Sequence, residues 1–150
     1  MLALETDRSR YDQKLCQGLS FKTIVAYGRN AAKNNYYPAE HPRSSFPIEN
    51  SNVILVDSGG QFLDGTTSIA RTIHLGEPTV EQKRAYTNVL MGLIRLSLLV
   101  FPGNIQPAEI DTLIRGPLWQ SRHDYQHLSG HGIGSYLSAE ECELHMINFQ

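Results

Sequence analysis

Hydrophobic and polar positions change period several times along the chain, and each change marks an element. Residues 3–17 are mostly polar and predict a short helix closed by Gly18. Thr23 to Tyr27 (TIVAY) is β-branched and aromatic, which predicts a strand ending at Gly28. Arg29 to Asn52 is rich in Asn, Pro and Ser, with Pro38, Pro42 and Pro47, and reads as a long irregular connection. Val53 to Val56 is near-continuously apolar, as in a buried strand. Ser58-Gly59-Gly60 then predicts a tight turn into a partner strand at Gln61-Phe62-Leu63. Ile69, Arg71 and Ile73 alternate with Ala70, Thr72 and His74, a third strand of the same sheet.

After Gly76 the period lengthens. Thr79-Val80-Glu81-Gln82 fits a reciprocal cap, the threonine hydroxyl accepting from the backbone of Gln82 and the glutamine reaching back. Tyr86, Val89, Leu90, Leu93, Ile94 and Ser97 follow at helical spacing as one stripe, and Pro102-Gly103 is expected to end that helix. Pro107 suits a first helical turn, and Ile110, Leu113 and Ile114 predict a second amphipathic helix. Pro117 is expected to break or bend it. His127 to Leu137 is polar and punctuated by glycine, and Glu140-Glu141-Cys142-Glu143 is acidic. The class is α+β, with antiparallel strands covered by two helices.

Composition narrows the function classes. A chain of 150 residues with a net charge of −2 has no basic footprint for nucleic acid. Its longest apolar run, Leu96 to Phe101, is too short for a bilayer, and the charged amino terminus is no signal peptide. Cys16 and Cys142 form no metal or redox motif; reduced thiols and a cytoplasmic location are the simplest expectation. Neither end has a linker composition, so residues 1–150 are read as an excerpt or truncated copy of a larger domain.

Asp57 shares a strand face with Val53 and Leu55, where an ionised carboxylate is costly unless donors or a cation meet it. The simplest account is an Asx turn capping Gly59 and Gly60. Asp64-Gly65 reads likewise as a hairpin pair. The segment His127-Leu128-Ser129-Gly130-His131-Gly132-Ile133-Gly134 spaces two imidazoles four apart, but its three glycines exclude a ligand pair on one helix face. Neutral imidazole is a ready ligand for divalent metals.

Taken together, DSGGQFLDGTTS (57–68) and HLSGHGIG (127–134) resemble the aminopeptidase P, or Xaa-Pro aminopeptidase, branch of the pita-bread metallopeptidases. The family patterns are D-x-x-x-x-x-x-D-G-x-T-D and H-x-x-G-H-G-x-G. Leu19 to Ile24, Arg71 to Gly76 and Pro117-Leu118-Trp119 extend the resemblance over nearly the whole chain. It implies a partial pita-bread α+β fold and removal of an N-terminal residue preceding proline. It also implies two divalent metals, commonly manganese and possibly zinc or cobalt, on two Asp, one His and two Glu. Peptides with proline in second position would be the partners, and a homodimer is implied too. Asp57 matches the first aspartate ligand and His131 the histidine ligand. His127 matches a histidine that contacts substrate near the scissile bond, and is the candidate catalytic residue.

The departures are specific. Ser68 stands where the family has the aspartate bridging both metals. Asn35 stands in place of a substrate histidine, and Glu140 where the family has a histidine nine residues past the ligand. The glutamate ligands belong further downstream; Glu140, Glu141 and Glu143 lack their Asn-Glu-Pro setting. Metal binding by this chain is therefore expected to be impaired. Two function classes compete: a metal-dependent Xaa-Pro aminopeptidase, and a non-catalytic relative that binds peptides, mediates interactions or is a gene fragment without function.

Overall fold

The structure is a computed structural model, and it describes residues 1–34, 36–37 and 47–136. Two compact units make it up: Met1–Pro78 together with residues 133–136, and Thr79–Gly132.

The first unit carries a helix α1 (Leu2–Tyr11) and six strands, β1 (Cys16–Leu19), β2 (Ile24–Tyr27), β3 (Val53–Ser58), β4 (Gly60–Phe62), β5 (Gly65–Thr66) and β6 (Ile69–His74). They form two antiparallel three-stranded sheets, β2-β3-β6 and β1-β4-β5. The expected helix over residues 3–17 stops at Tyr11, and its last two residues, Cys16 and Gln17, open β1 instead. Leu15 takes a left-handed φ of 67°, and pairing with β4 overrides the weak local helical preference beyond it. Helix α1 has no buried residue and docks through polar contacts. Thr23 Oγ1 donates to Asp7 at 2.5 Å, and Arg10 Nη2 donates to Ser58 Oγ at 2.7 Å and to its carbonyl at 3.1 Å.

The expected β3–β4 hairpin does not form. β3 lies between β2 and β6, while β4 leaves for the other sheet, where it pairs with β1 and, across the two-residue turn Leu63-Asp64, with β5. Gly59 makes the crossing possible by close approach. A Cβ there would meet Thr67 O at 2.1 Å and Ser20 Oγ at 2.2 Å. Strand β3 is central, but of its apolar run only Ile54 is buried, while Val53, Leu55 and Val56 are half-buried. The core gathers Ile24, Ala26 and Tyr36, with Leu55, Ala31 and Tyr37 against it.

The second unit is a helix pair, α2 (Val80–Ser97) and α3 (Pro107–Gln120). Thr79 and Gln82 make the expected reciprocal cap, with Gln82 N donating to Thr79 Oγ1 and Thr79 N to Gln82 Oε1. A second such cap, unanticipated, joins Gln106 and Glu109 at the start of α3. Helix α2 ends at Ser97 rather than near Pro102. Ser97 Oγ donates to Leu93 O, and Leu99 N bonds to Leu96 O, tightening the last turn. Helix α3 runs through Pro117 to Gln120. The preceding residue is Gly116, whose missing Cβ removes part of the clash that proline imposes on its predecessor.

The face of α2 that meets α3 is not the apolar stripe. Asn88, Gly92 and Leu96 lie inward, with Asn88 Nδ2 donating to Ser121 Oγ at 2.8 Å; Tyr86, Val89, Leu90, Leu93 and Ile94 are exposed. Gly92 sets the helix separation, because a Cβ there would sit 2.1 Å from Ile114 O. Gly92→Ala is therefore expected to destabilise the protein by about 1–3 kcal/mol, the cost of forced overpacking. Urea unfolding monitored at Trp119 would measure it, and an unchanged midpoint would rule out this close approach.

Candidate functional site

The acidic half of the candidate site is placed by strand register. Asp57 is opposite Ile24 on β2 and Ala70 on β6, and Leu55 is opposite Ala26 and Thr72. Directly opposed residues in an antiparallel pair share a face. Asp57 thus closes the face carrying Ile24, Ala26 and Leu55, as its alternation with Val53 and Leu55 implies. Ser68 immediately precedes β6, and by strand parity it falls on the side of Ala70. Counting back from Ala70, it takes the diagonal place to Asp57, just past the last paired residues Ser58 and Ile69. Two side chains so related can converge on one point above the sheet. Asp57 supplies a carboxylate there, whereas Ser68 supplies a neutral hydroxyl, a weaker metal donor.

A knot of hydrogen bonds holds the ends of both strands. Ser20 N donates to Gly59 O at 3.2 Å, and Ser20 Oγ donates to Thr67 O at 2.8 Å. Gly60 N donates to Thr67 Oγ1 at 3.0 Å, and Thr67 N returns to Gly60 O at 2.9 Å. The Gly60 amide, which the Asx-turn account assigns to Asp57, donates to Thr67 Oγ1. Asp64 sits apart from Asp57, exposed in the β4–β5 turn of the other sheet. The turn reading of Asp64-Gly65 is the structural one.

The histidines belong to the second unit, on the loop following α3. Both imidazoles are exposed. His131 Nδ1 lies 2.8 Å from Gly132 O, and His127 Nδ1 lies 2.7 Å from Leu128 O. A carbonyl only accepts, so each Nδ1 is the donor, which in a neutral imidazole leaves Nε2 as the acceptor. In His131 that is the tautomer a metal ligand needs.

The loop itself is held by a residue that motif reading passed over. Arg115 and Asp111 are four apart on α3 and joined Nε to Oδ2 at 2.7 Å. The same guanidinium reaches Asp124 Oδ1 at 2.9 Å and the carbonyls of Tyr125 and His127 at 2.7 and 2.8 Å. Burial opposes the charge on Arg115, but its hydrogen bonds to Asp124 and Asp111 outweigh that and raise its pKa. The hydrogen bond from Arg115 holds the Asp124 carboxyl below its ordinary range. The i, i+4 acid–base pair in IDTLIR was visible in the sequence; its acceptors beyond the helix were not.

Donor chemistry decides whether a two-metal centre fits. Ser68 offers a neutral hydroxyl, and among the described residues no three His, Cys, Asp or Glu side chains are grouped to hold an ion. The described donors do not make up such a centre. Asn35, Glu140, Glu141, Cys142 and Glu143 lie outside the described residues. Among the described residues no helix is long and apolar enough to cross a membrane.

Comparison with known proteins places this arrangement. The sequence profile of metallopeptidase family M24 matches residues 2–148. A probable Xaa-Pro aminopeptidase P of Laccaria bicolor is 47% identical over 138 residues, covering 92% of this chain and 21% of the relative. Aminopeptidase P1 of Lotus japonicus is 43% identical over 141 residues, covering 94% of this chain and 21% of the relative. The chain thus spans about a fifth of the length of these curated relatives. The solved X-prolyl aminopeptidase of Caenorhabditis elegans, described as a cytosolic enzyme with a di-nuclear active site, superposes with a TM-score of 0.89 at 37% identity. That match covers 95% of this chain and 23% of the other. A prolidase from Thermococcus sibiricus gives 0.81 at 25% identity, covering 95% and 37%. With the fold, both motifs and these relatives in agreement, the chain belongs to metallopeptidase family M24, has part of the pita-bread fold, and resembles its Xaa-Pro aminopeptidases.

Proposed function

We propose that residues 1–150 are part of a catalytic-type domain of an Xaa-Pro aminopeptidase-like protein in which two-metal hydrolysis is impaired. The observation that carries this reading is Ser68, at the diagonal from Asp57 where the resemblance calls for a bridging carboxylate. A bridging ligand places negative charge between two cations, and its loss weakens both positions together. Asp57 and His131 are proposed as metal contacts, each on its own match to the family pattern. His127, with its Nε2 lone pair, is proposed to contact a peptide carrying proline in second position. The relatives' names support that substrate class.

The test is direct. The protein is loaded with manganese, zinc or cobalt, and bound metal is measured together with release of the first residue from an Xaa-Pro-Pro peptide. We expect fewer than two bound ions per chain and no turnover above background. Two tightly bound ions, with turnover abolished by Asp57→Ala, would overturn the proposal.

A further inference from the structure

We propose that Arg115 is a positioning residue for His127, acting as a clamp that shapes the loop after α3 and aims the imidazole. Its guanidinium is well covered, with the side chain 13% exposed. Four of its five N–H groups are used: one toward Asp111, one toward Asp124 and one each toward the carbonyls of Tyr125 and His127. Three of these four acceptors lie beyond Gln120, where α3 ends. A residue serving only its own helix would need Asp111 alone; this one spends most of its donors on the loop.

The contacts bracket His127. Before it, the guanidinium carbon lies 4.0 Å from the centre of the Tyr125 ring, and that ring stacks on the His127 imidazole at 4.5 Å and 21°. At it, Nη2 holds the His127 carbonyl. After it, Ser129 Oγ donates to the second oxygen of Asp111, the same carboxylate that anchors Arg115, and lies 2.5 Å from Tyr125 Oη. Asp111 and Arg115 therefore tie both sides of His127 to one helix face. The planar fork of arginine can hold acceptors in several directions at once, while a lysine ammonium offers three donors at one point. The clamp stands on these contacts alone; its bearing on substrate rests on the reading of His127 given above.

The experiment follows the His127 ring protons by NMR in the metal-free, peptide-free chain, so a negative result is separable from failure of the proposed function. In the wild-type chain the stacked Tyr125 ring should shift these signals away from free-histidine values. Arg115→Met is expected to abolish that shift and to raise backbone mobility at 124–129, while the Asn88 and Gly92 signals of the helix pair stay in place. Arg115→Lys, which keeps the charge, should not restore the shift. Wild-type His127 shifts in folded Arg115→Met, or full recovery in Arg115→Lys, would overturn the proposal. If Arg115→Met does not fold, Asp124→Ala removes an exposed contact of the same clamp. It should move the His127 signals partway, and unchanged signals there would overturn the proposal equally.

Discussion

Ser68→Asp should raise the affinity of the protein for manganese by at least about tenfold, equivalent to about 1.4 kcal/mol. It should also make the metal-free protein slightly less stable. Both effects come from one geometry. Ser68 precedes β6 on the side of Ala70, the residue opposite Asp57, so a carboxylate at position 68 stands diagonal to the one at 57. Without a cation, two like charges on one face repel, and cross-strand pairs of this kind cost about 0.2–1 kcal/mol. With a divalent cation the sign reverses, because the ion binds only the folded arrangement and adds stability by mass action. Titration calorimetry with manganese, paired with thermal unfolding in its presence and absence, reads both halves. Ser68→Asn, similar in size but neutral, should show neither. An affinity for Ser68→Asp equal to wild type would sink our account of position 68, because the two positions would then not share a metal.

Gly59→Ala should cost about 3 kcal/mol or more, at the upper end of overpacking effects, or prevent folding. It should exceed the cost of Gly92→Ala because the two sites differ in freedom to yield. At Gly92 two helices can slide apart along a single seam. At Gly59 the new methyl meets a backbone oxygen and a hydroxyl, with Phe21 Cε1 at 2.8 Å as well, where hydrogen-bonded strands hold the backbone on both sides. Relief would require opening the Ser20, Gly60 and Thr67 bonds, which also hold the ends of β3 and β6. Gly59→Ala is therefore expected to weaken metal binding even where the chain still folds. Chemical denaturation and calorimetry on the same samples would show it, and a wild-type midpoint would mean that this crossing can relax.

Much of the candidate site was legible along the chain. The alternation of Val53, Leu55 and Asp57 gave the face of the carboxylate before any coordinate, since a strand has a period of two. The capping residues Thr79 and Gln82, and the proline that opens α3, located helix starts through local hydrogen bonding and backbone geometry. Ser68 was recognisable as a departure only through the resemblance to the family pattern. Errors arose wherever a distant partner overrode a local preference. The start of β1 was read as helix because its pairing with β4 involves residues more than forty positions away. The hairpin expected at Gly59-Gly60 was wrong for a related reason: a tight turn and a crossing between sheets use the same glycines, and only the partners distinguish them.

Sequence alone therefore determined the family and most of the element types, because periods, caps and motif spacing are properties of neighbouring residues. Tertiary structure decided what those neighbours face. It separated Asp57 and Asp64 into different sheets, turned the apolar stripe of α2 outward and set Gly92 against α3. It also brought Arg115 to a loop whose acceptors begin nine residues beyond it. None of these pairings has a local signature, since each depends on which distant backbone and side-chain groups the fold brings within hydrogen-bonding or packing distance.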